Sequence, residues 1–568
     1  MGDSPKSPDG NMPTTSSNAT EPAAEPIQGS MAYVAGLNPD VWRIIVDNLD
    51  HRRDVSSLCR ACKGLYPVAT AALYRRLVLG PIPDEDYRSR QRNGIKTKTC
   101  AAQWADALSL VRRLVASPNP DHTHGVRELE FASLQITKYQ AENEQISNDM
   151  DKEDTLAALV KVLPGLRRVQ ISGDSPPFEA FFRALDEHPN KPDIHLLGEK
   201  GLRPTFGPLP RILTIRASVN PWRDSPEKPN TSIPDLEKLF FSCSNLCSFS
   251  LTVGGNYGGC TRPHIHHGVT LNFQFDNGNV TFPPLESISL NGYAMGDNEW
   301  PHWRDGMQWN RLKSLSLGPN PSRSRGPSSV SLLEKFRGYA TALRSLTVLC
   351  WAAEGEEKSA VLNSFLASFD TLEELVVKRH FVPAQSLVGH TNLKRLLLHC
   401  IETWRPEGEF RPTLDATDLA LLDASCPGLE ELEIDISRDA SGQWPKPILE
   451  TLATSFPNLR RLGLHCEVGI DFIGKRWPGQ ENPLLPLLDG AVVRTFAEPF
   501  FALRGSSKLE TLTLKTGENL RRFPQWPPPY QGKERSWART HHVFPPGSGG
   551  EVKVLKGEVV NRFEHCRP

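Results

Sequence analysis

LEELEI at 429–434, LRRLGL at 459–464 and LETLTL at 509–514 repeat one six-residue pattern, apolar at the first, fourth and sixth positions. The pattern also occurs as VRELEF at 126, LRRVQI at 166, LCSFSL at 246, LESISL at 285, LKSLSL at 312, LRSLTV at 343, LEELVV at 372 and LKRLLL at 393. A weaker copy, LPRILT, stands at 209. Starts fall mostly about 20 to 50 residues apart, the spacing of solenoid repeats. Alternation along an extended chain sends the apolar positions into a stack and leaves the intervening ones facing outward.

Amphipathic stretches separate the hexads: TLAALVKVL, DLEKLFFSC, VLNSFLASF, LALLDAS and ILETLATSF. Several lead into a Pro-containing turn, as in SFPNLRRL and SCPGLEEL. Each unit therefore reads as helix, tight turn, short strand. One unit cannot bury its own leucines; stacking parallel strands edge to edge covers them and satisfies their backbone groups. The expected product is an α/β repeat with parallel strands on one face and helices on the other. Such a ribbon offers a long recognition surface and no built-in catalytic pocket.

Outward from the repeats, the organisation expected is a disordered segment 1–30 rich in Pro, Ser, Asn and Thr, a helical block 31–80, a connector 81–125, the solenoid 126–515 and a Pro-rich tail 516–568. The tail contains PQWPPPY at 524–530, which suits neither a helix nor a central strand, and ends in EVKVLKGEVV, which alternates like a strand that could close the stack. Within the solenoid, VTLNFQF–DNG–NVTF reads as a β-hairpin interrupting the rhythm.

The helical block predicts three short helices. Asn38, Pro39 and Asp40 suit a helix start, and Val41, Ile44, Ile45 and Leu49 recur at helical spacing. Asp54 can cap a second helix carrying Val55, Leu58 and Cys62; a third carries Val68, Ala72, Leu73 and Leu77. About forty residues bury too little surface to be stable alone, so the block needs a partner.

LNPDVWRIIVDNLDHRRDVSSLCRACKGLYPVATAALYRRL resembles the F-box, with Leu37, Asp40, Ile45 and Leu49 at matching positions and Asn38 where the family has Pro. The repeats resemble the leucine-rich-repeat family, in the long helix-containing form found behind F-boxes. The family's Asn or Cys after the last leucine is present as Asn320 but replaced by Asp174, Gly254, Trp351, His380 and Glu467, which predicts an irregular solenoid without the usual side-chain ladder. Together these resemblances imply a substrate-recognition subunit of a cullin-based ubiquitin ligase. The F-box would dock a Skp-type adaptor through Leu37, Pro39, Ile45, Leu49, Val55 and Leu58, and the repeats would hold a protein substrate. The alternative is a leucine-rich-repeat scaffold outside any ligase.

Two features of the repeats bear on a partner site. Glu373 and Glu374, Lys394 and Arg395, Glu430 and Glu431, and Arg460 and Arg461 alternate in sign from repeat to repeat, which fits either a self-neutralising ladder or a charged footprint. Tyr293, Trp300, Trp303, Trp309, Trp351, Phe381 and Trp404 follow successive strands, and could form an aromatic binding edge or plug gaps in the stack.

Composition narrows the remaining classes. A net charge of -1 with 23% charged residues gives neither a nucleic-acid-binding excess of base nor an acidic tail. The connector's Arg88, Arg90, Arg92, Lys96 and Lys98 are read as a solvated loop. Neither a signal-peptide core nor an apolar run of membrane length is present, and the 11 cysteines are scattered, which suits a reducing, cytoplasmic or nuclear setting. Cys243, Cys247, Cys260 and His264, with His266 and His267 nearby, have spacing zinc tolerates but lack close Cys pairs. Cys59 and Cys62 form CxxC within a predicted helix, where packing is the simpler role. With no phosphate loop and no nucleophile elbow, the expectation is a binding protein without cofactor or metal, and not an enzyme.

Overall fold

The computed structural model describes residues 39–49, 52–61, 65–80, 100–118, 123–131, 149–172, 179–198, 209–219, 233–253, 272–275, 281–293, 295–318, 329–350, 356–402, 411–438, 443–469, 487–505, 508–517, 539–546 and 552–556. The chain divides into two compact units, Met1–Arg75 with Pro120–Gly125, and Arg76–Asn119 with Val126–Pro568. The segment 1–30 lies outside the described residues.

The first unit contains helices α1 (Pro39–Asp47), α2 (Arg52–Ala61) and α3 (Tyr66–Tyr74). Val46, Val55 and Ala69 form its small core, and Leu49, Leu58, Cys59, Val68, Ala72 and Leu73 pack against them.

The second unit is built on one sheet. Its strands are β1 (Arg76–Leu79), β2 (Glu128–Phe131), β3 (Arg168–Ser172), β4 (Asp193–Leu197), β5 (Ile212–Val219), β6 (Ser248–Val253), β7 (Ser287–Asn291) and β8 (Ser314–Gly318). They continue with β9 (Ser345–Leu349), β10 (Glu374–Lys378), β11 (Arg395–His399), β12 (Glu431–Ile436), β13 (Arg461–Cys466), β14 (Thr511–Thr516), β15 (Arg539–Phe544) and β16 (Lys553–Lys556). The 16 strands lie in sequence order. β1 to β14 are parallel, as shown for β1–β2, β9–β10 and β13–β14, and β15 and β16 return antiparallel. This is the architecture of a leucine-rich-repeat solenoid.

Each of the eleven clear hexads overlaps one of these adjacent strands. LPRILT is three residues out of phase, because ILTIRA at 212–217 carries the inward positions Ile212, Ile215 and Ala217 of β5 and Thr214 faces outward. Two strands escaped the pattern. β1 carries the pattern with Tyr74 in place of the first leucine, as YRRLVL at 74–79, and β4 carries only the last two apolar positions, Ile194 and Leu196. In β4 the first position is Lys191, held at a φ of 47°. The sheet thus starts at Arg76, earlier than residue 126, and the expected connector contributes the helix Cys100–Ala116 to the same unit.

A repeated hydrogen-bond device explains the register. The carbonyl at the second hexad position accepts two N–H groups from the next strand. Glu373 accepts from Lys394 (2.8 Å) and Arg395 (3.1 Å), and Glu430 from Arg460 (2.8 Å) and Arg461 (3.0 Å). The turns are tied in parallel, where Asn190, Asn245 and Asn458 donate their side-chain N–H to the carbonyls of Pro164 (2.6 Å), Pro210 (2.9 Å) and Pro427 (2.9 Å).

The five amphipathic stretches fall in or overlap helices Asp149–Lys161, Ile233–Ser242, Glu356–Leu366, Ala416–Ser425 and Lys446–Thr454. Asp415 starts the fourth with a reciprocal capping box, accepting from the N–H groups of Thr417 and Asp418 while Asp418 accepts from its own. Helices pack on the leucine side, as with Phe240 on Phe249 (ring centroids 4.9 Å apart) and Phe181 on Phe131 (5.4 Å).

No strand occurs at 272–275 or 281–282, the described parts of the expected hairpin. Phe273, Phe275 and Phe282 instead enter the core around Phe240 and Trp303, because burying three phenylalanines outweighs pairing a polar hairpin in solvent. The tail does close the stack. β15 pairs Val543 with Leu512, and β16 pairs Val554 with Val543.

Candidate protein-interaction surfaces

In the first unit, α1 leaves Val41, Ile44 and Ile45 40%, 63% and 39% exposed while Val46 faces the core. Of the six residues the F-box resemblance selects, Ile45 is therefore presented outward. Val55 is buried in the unit's own core, and Leu49 and Leu58 pack onto it, because a core this small consumes its central apolar side chains. Pro39 is the first residue of α1, and Leu37 lies outside the described residues.

In the second unit the strand face away from the helices carries alternate residues in registered rows. One row runs through Thr214, Ser248, Ser287, Ser314 and Ser345, then changes character to Glu374, Arg395, Glu431 and Arg461. The next runs through Arg216, Ser250, Ser289, Ser316 and Thr347 before reaching Val376 and Leu397. The face is thus hydroxyl-lined over β5–β9 and charged over β10–β14.

The charged half is the self-neutralising ladder. Glu373 accepts from Arg344 (3.2 Å) and Lys394 (3.0 Å), Arg395 bridges Glu374 and Glu431, Arg461 pairs with Glu431, and Arg460 Nε donates to Glu510 (2.8 Å). Glu373, Glu374, Glu431 and Glu510 each meet an opposite charge on a neighbouring strand, so little net field remains for a partner. Exposed pairs of this kind contribute about 0–1 kcal/mol each.

Beyond the ladder lies a cluster no single hexad shows. Asp435 Oδ1 accepts from or shares a proton with His399 Nδ1 (2.7 Å) and lies 3.3 Å from Arg411 Nη1, while its Oδ2 accepts the Cys400 N–H (2.5 Å). His465 Nε2 meets Glu433 Oε1 (2.6 Å), and Lys515 Nζ donates to the same oxygen (2.7 Å). Glu433 reaches Lys515 across β13 because residue 463 is glycine; a Cβ there would lie 2.9 Å from Glu433 Cγ. Burial, and then the neighbouring His399, push His465 down to about 4, so it is neutral near pH 7. Burial opposes ionisation of Glu433, but His465 and Lys515 hold its carboxyl well below the ordinary range.

His399, Asp435 and His465 place potential ligand atoms within 4.8 Å of one another. The chemistry does not favour a metal. The two imidazoles stack, 3.9 Å apart at 23°, so their in-plane lone pairs run side by side and do not converge on one point. Arg411 and Lys515 already neutralise the two carboxylates, leaving a divalent ion uncompensated. The cluster is a buried ion-paired strap across β11–β14.

Two more carboxylates tie neighbouring repeats together beyond β11 and β13. Glu402 accepts the N–H groups of Val468 (2.8 Å) and Gly469 (2.7 Å), and Glu467 accepts from the Arg411 N–H (3.3 Å) and Ser437 hydroxyl (2.9 Å). Glu467 stands where the family pattern has Asn or Cys, and its longer side chain bridges repeats in another way. Asn320, Asp174, Gly254 and Trp351 lie outside the described residues, and His380 is buried.

The aromatic edge is corrected. Tyr293, Trp303 and Trp309 are buried, Trp303 to 1% exposure. Trp303 packs on Phe240, Phe273 and Phe282, while half-buried Trp300 packs with Trp309, Phe336 and Tyr339. Glu299 accepts from the Tyr293 hydroxyl and from Trp303 Nε1 (2.7 Å), so the polar ends are used internally as well. The irregular insert leaves gaps, and these rings fill them. Phe381 is half-buried; Trp351 and Trp404 lie outside the described residues.

Cys243 is buried, its thiol pushed up to about 12 by burial, and Cys247 is half-buried; Cys260, His264, His266 and His267 lie outside the described residues. Cys59 sits against the three-helix core and Cys62 lies outside the described residues. Among the described residues no helix is long and apolar enough to cross a membrane.

No protein-family model and no curated protein matches the chain. Among solved structures, similarity is found to one described as "Crystal structure of TLR13-ssRNA13 complex", at 12% identity and a TM-score of 0.26, covering 62% of this chain and 42% of that one. The chain thus spans less than half the length of that neighbour, and a likeness of this degree carries no argument here. The leucine-rich-repeat architecture rests on the chain's own hexads, strand order and register.

Proposed function

We propose that this protein is the substrate-recognition subunit of a cullin-based ubiquitin ligase, acting in the cytoplasm or nucleus. In this reading α1–α3 dock a Skp-type adaptor and the strand face holds a protein substrate, while other subunits carry out ubiquitin transfer and no cofactor is needed here. The observation that carries the reading is α1, where Val41, Ile44 and Ile45 project outward from a three-helix unit whose own core is very small. Three exposed apolar side chains on one short helix are disfavoured in water and become favourable when a partner groove covers them. The sequence resemblance of residues 37–77 to the F-box names the kind of groove.

The test is recovery of a purified Skp-type adaptor by the intact chain, compared with the double variant Ile44→Asp, Ile45→Asp. Adaptor recovery is expected for the native chain and a loss of more than tenfold for the variant, with unchanged melting. Failure of the native chain to recover adaptor would refute the ligase reading and leave an interaction scaffold.

A further inference from the structure

We propose that Arg216, set among serine and threonine hydroxyls on the helix-free strand face, binds the carboxylate of an aspartate or glutamate side chain in an extended segment of the partner protein. The inference rests on the strand face being the partner surface, but it is independent of adaptor docking.

Alternation along β5 buries Ile215, Ala217 and Val219 in the core and sets Arg216 on the opposite face. Its registered neighbour on β6 is Ser250; Ser218 and Thr252 lie one step along the same two strands, and Ser289 follows Ser250 on β7. Arg216 is half-buried, and its Nε–H has no hydrogen-bond acceptor. None of the described carboxylates pairs with it, whereas Arg395, Arg461, Arg411 and Lys515 on β11–β14 and their flanks each have one. Ser250 is 7% exposed with a hydroxyl that also lacks a partner, as does that of Thr252.

A half-buried guanidinium without a counter-ion, beside buried hydroxyls without partners, is an unfavourable arrangement for the isolated chain. A ligand that accepts hydrogen bonds and carries negative charge supplies the missing counter-ion at the accessible end of the guanidinium. The two Nη–H groups of the planar guanidinium match a two-oxygen acceptor, while Nε and the Ser250 and Thr252 hydroxyls are enclosed beneath them. Charge decides between the two common oxyanions. One arginine balances one carboxylate, whereas a phosphate of about −1.5 to −2 would keep an uncompensated charge in a site with hydroxyl dipoles alone. The small side chains along β6–β8 leave room for the peptide main chain beside the anion.

The experiment uses the immobilised full chain and degenerate peptide libraries differing at one central residue: Glu, Asp, Gln or phosphoserine. Native protein should retain the Glu and Asp libraries about tenfold over the Gln library, and Arg216→Met should abolish the preference. The variant should melt at the same or a higher temperature, because it removes an uncompensated buried charge; a purely structural arginine would lower it. Arg216→Lys, which keeps charge but loses the fork, should retain only a small part of the preference. Equal retention of Glu and Gln libraries, an unchanged preference in Arg216→Met, or a stronger preference for phosphoserine would each overturn the assignment. Adaptor recovery by Arg216→Met should match the native chain, which separates this result from failure of the ligase reading.

Discussion

Glu299 offers the sharpest physical test of the insert that replaces the predicted hairpin. Its carboxyl is 3% exposed and accepts from the Tyr293 hydroxyl, from Trp303 Nε1 at 2.7 Å and from the Gly296 N–H at 3.2 Å. Burial outweighs those donors and pushes the carboxyl up from 4.5 to about 7. Between these values the folded chain keeps a proton that the unfolded chain has released, so stability is greatest below pH 4.5 and falls as pH rises towards 7. At about 1.36 kcal/mol per unit, the loss across the window is about 3 kcal/mol. Glu299→Gln keeps the size and an acceptor oxygen but cannot ionise. Urea denaturation of both proteins from pH 4 to 8.5, followed by tryptophan fluorescence, reads the difference directly, because the other titrating groups are shared. The variant should gain on the native chain by about 3 kcal/mol between pH 4.5 and 7 and run parallel above that. A difference that is flat with pH, or that favours the native chain as pH rises, would refute the claim that burial governs this group.

The opposite slope is expected from His465. Its pKa is lowered from 6.5 to about 4, so the stability it contributes is complete above 6.5 and is lost as pH falls towards 4; His465→Gln should flatten acid unfolding in that window, measured by circular dichroism. Trp303→Ala should destabilise by about 3–5 kcal/mol in urea unfolding, because it empties the centre of the aromatic cluster and removes a donor from Glu299. Gly463→Ala should cost about 1–3 kcal/mol by pushing Glu433 off its path to Lys515, and Lys515→Met in that background should add little, which a double-mutant cycle would show. Arg395→Ala, which breaks two exposed pairs of the ladder, should change stability by about 1 kcal/mol or less.

Much of the fold was legible because its signal is local. A hexad such as LEELEI carries its own period and apolar face, and eleven such segments repeated at intervals leave adjacent parallel strands as the way to cover every leucine. β4 was missed because Lys191 takes its first apolar position, and β1 because Tyr74 stands there in place of leucine. The described parts of the hairpin expected around 269–282 form no strand, because alternation cannot say whether its phenylalanines pair or plug a gap. The alternating charges of Glu374, Arg395, Glu431 and Arg461 were readable as a ladder for the same reason, since register follows from the hexad itself.

Tertiary structure alone decided which side chains meet. His399, Asp435 and His465 come from three strands whose parallel stacking sets equivalent positions about 4.8 Å apart, and Arg411 joins them from the loop before the helix Ala416–Ser425. The same holds for Arg216, whose sequence context, ILTIRASV, gives no hint that it stands unpaired beside Ser250. Burial of Trp303 and exposure of Ile44 likewise depend on neighbours distant in the chain. Amino-acid order determined that this protein would be a leucine-lined ribbon, through the period of its apolar residues. Which atoms that ribbon leaves without partners is a property of packing between repeats, because solvation and pairing are fixed only when separate segments meet.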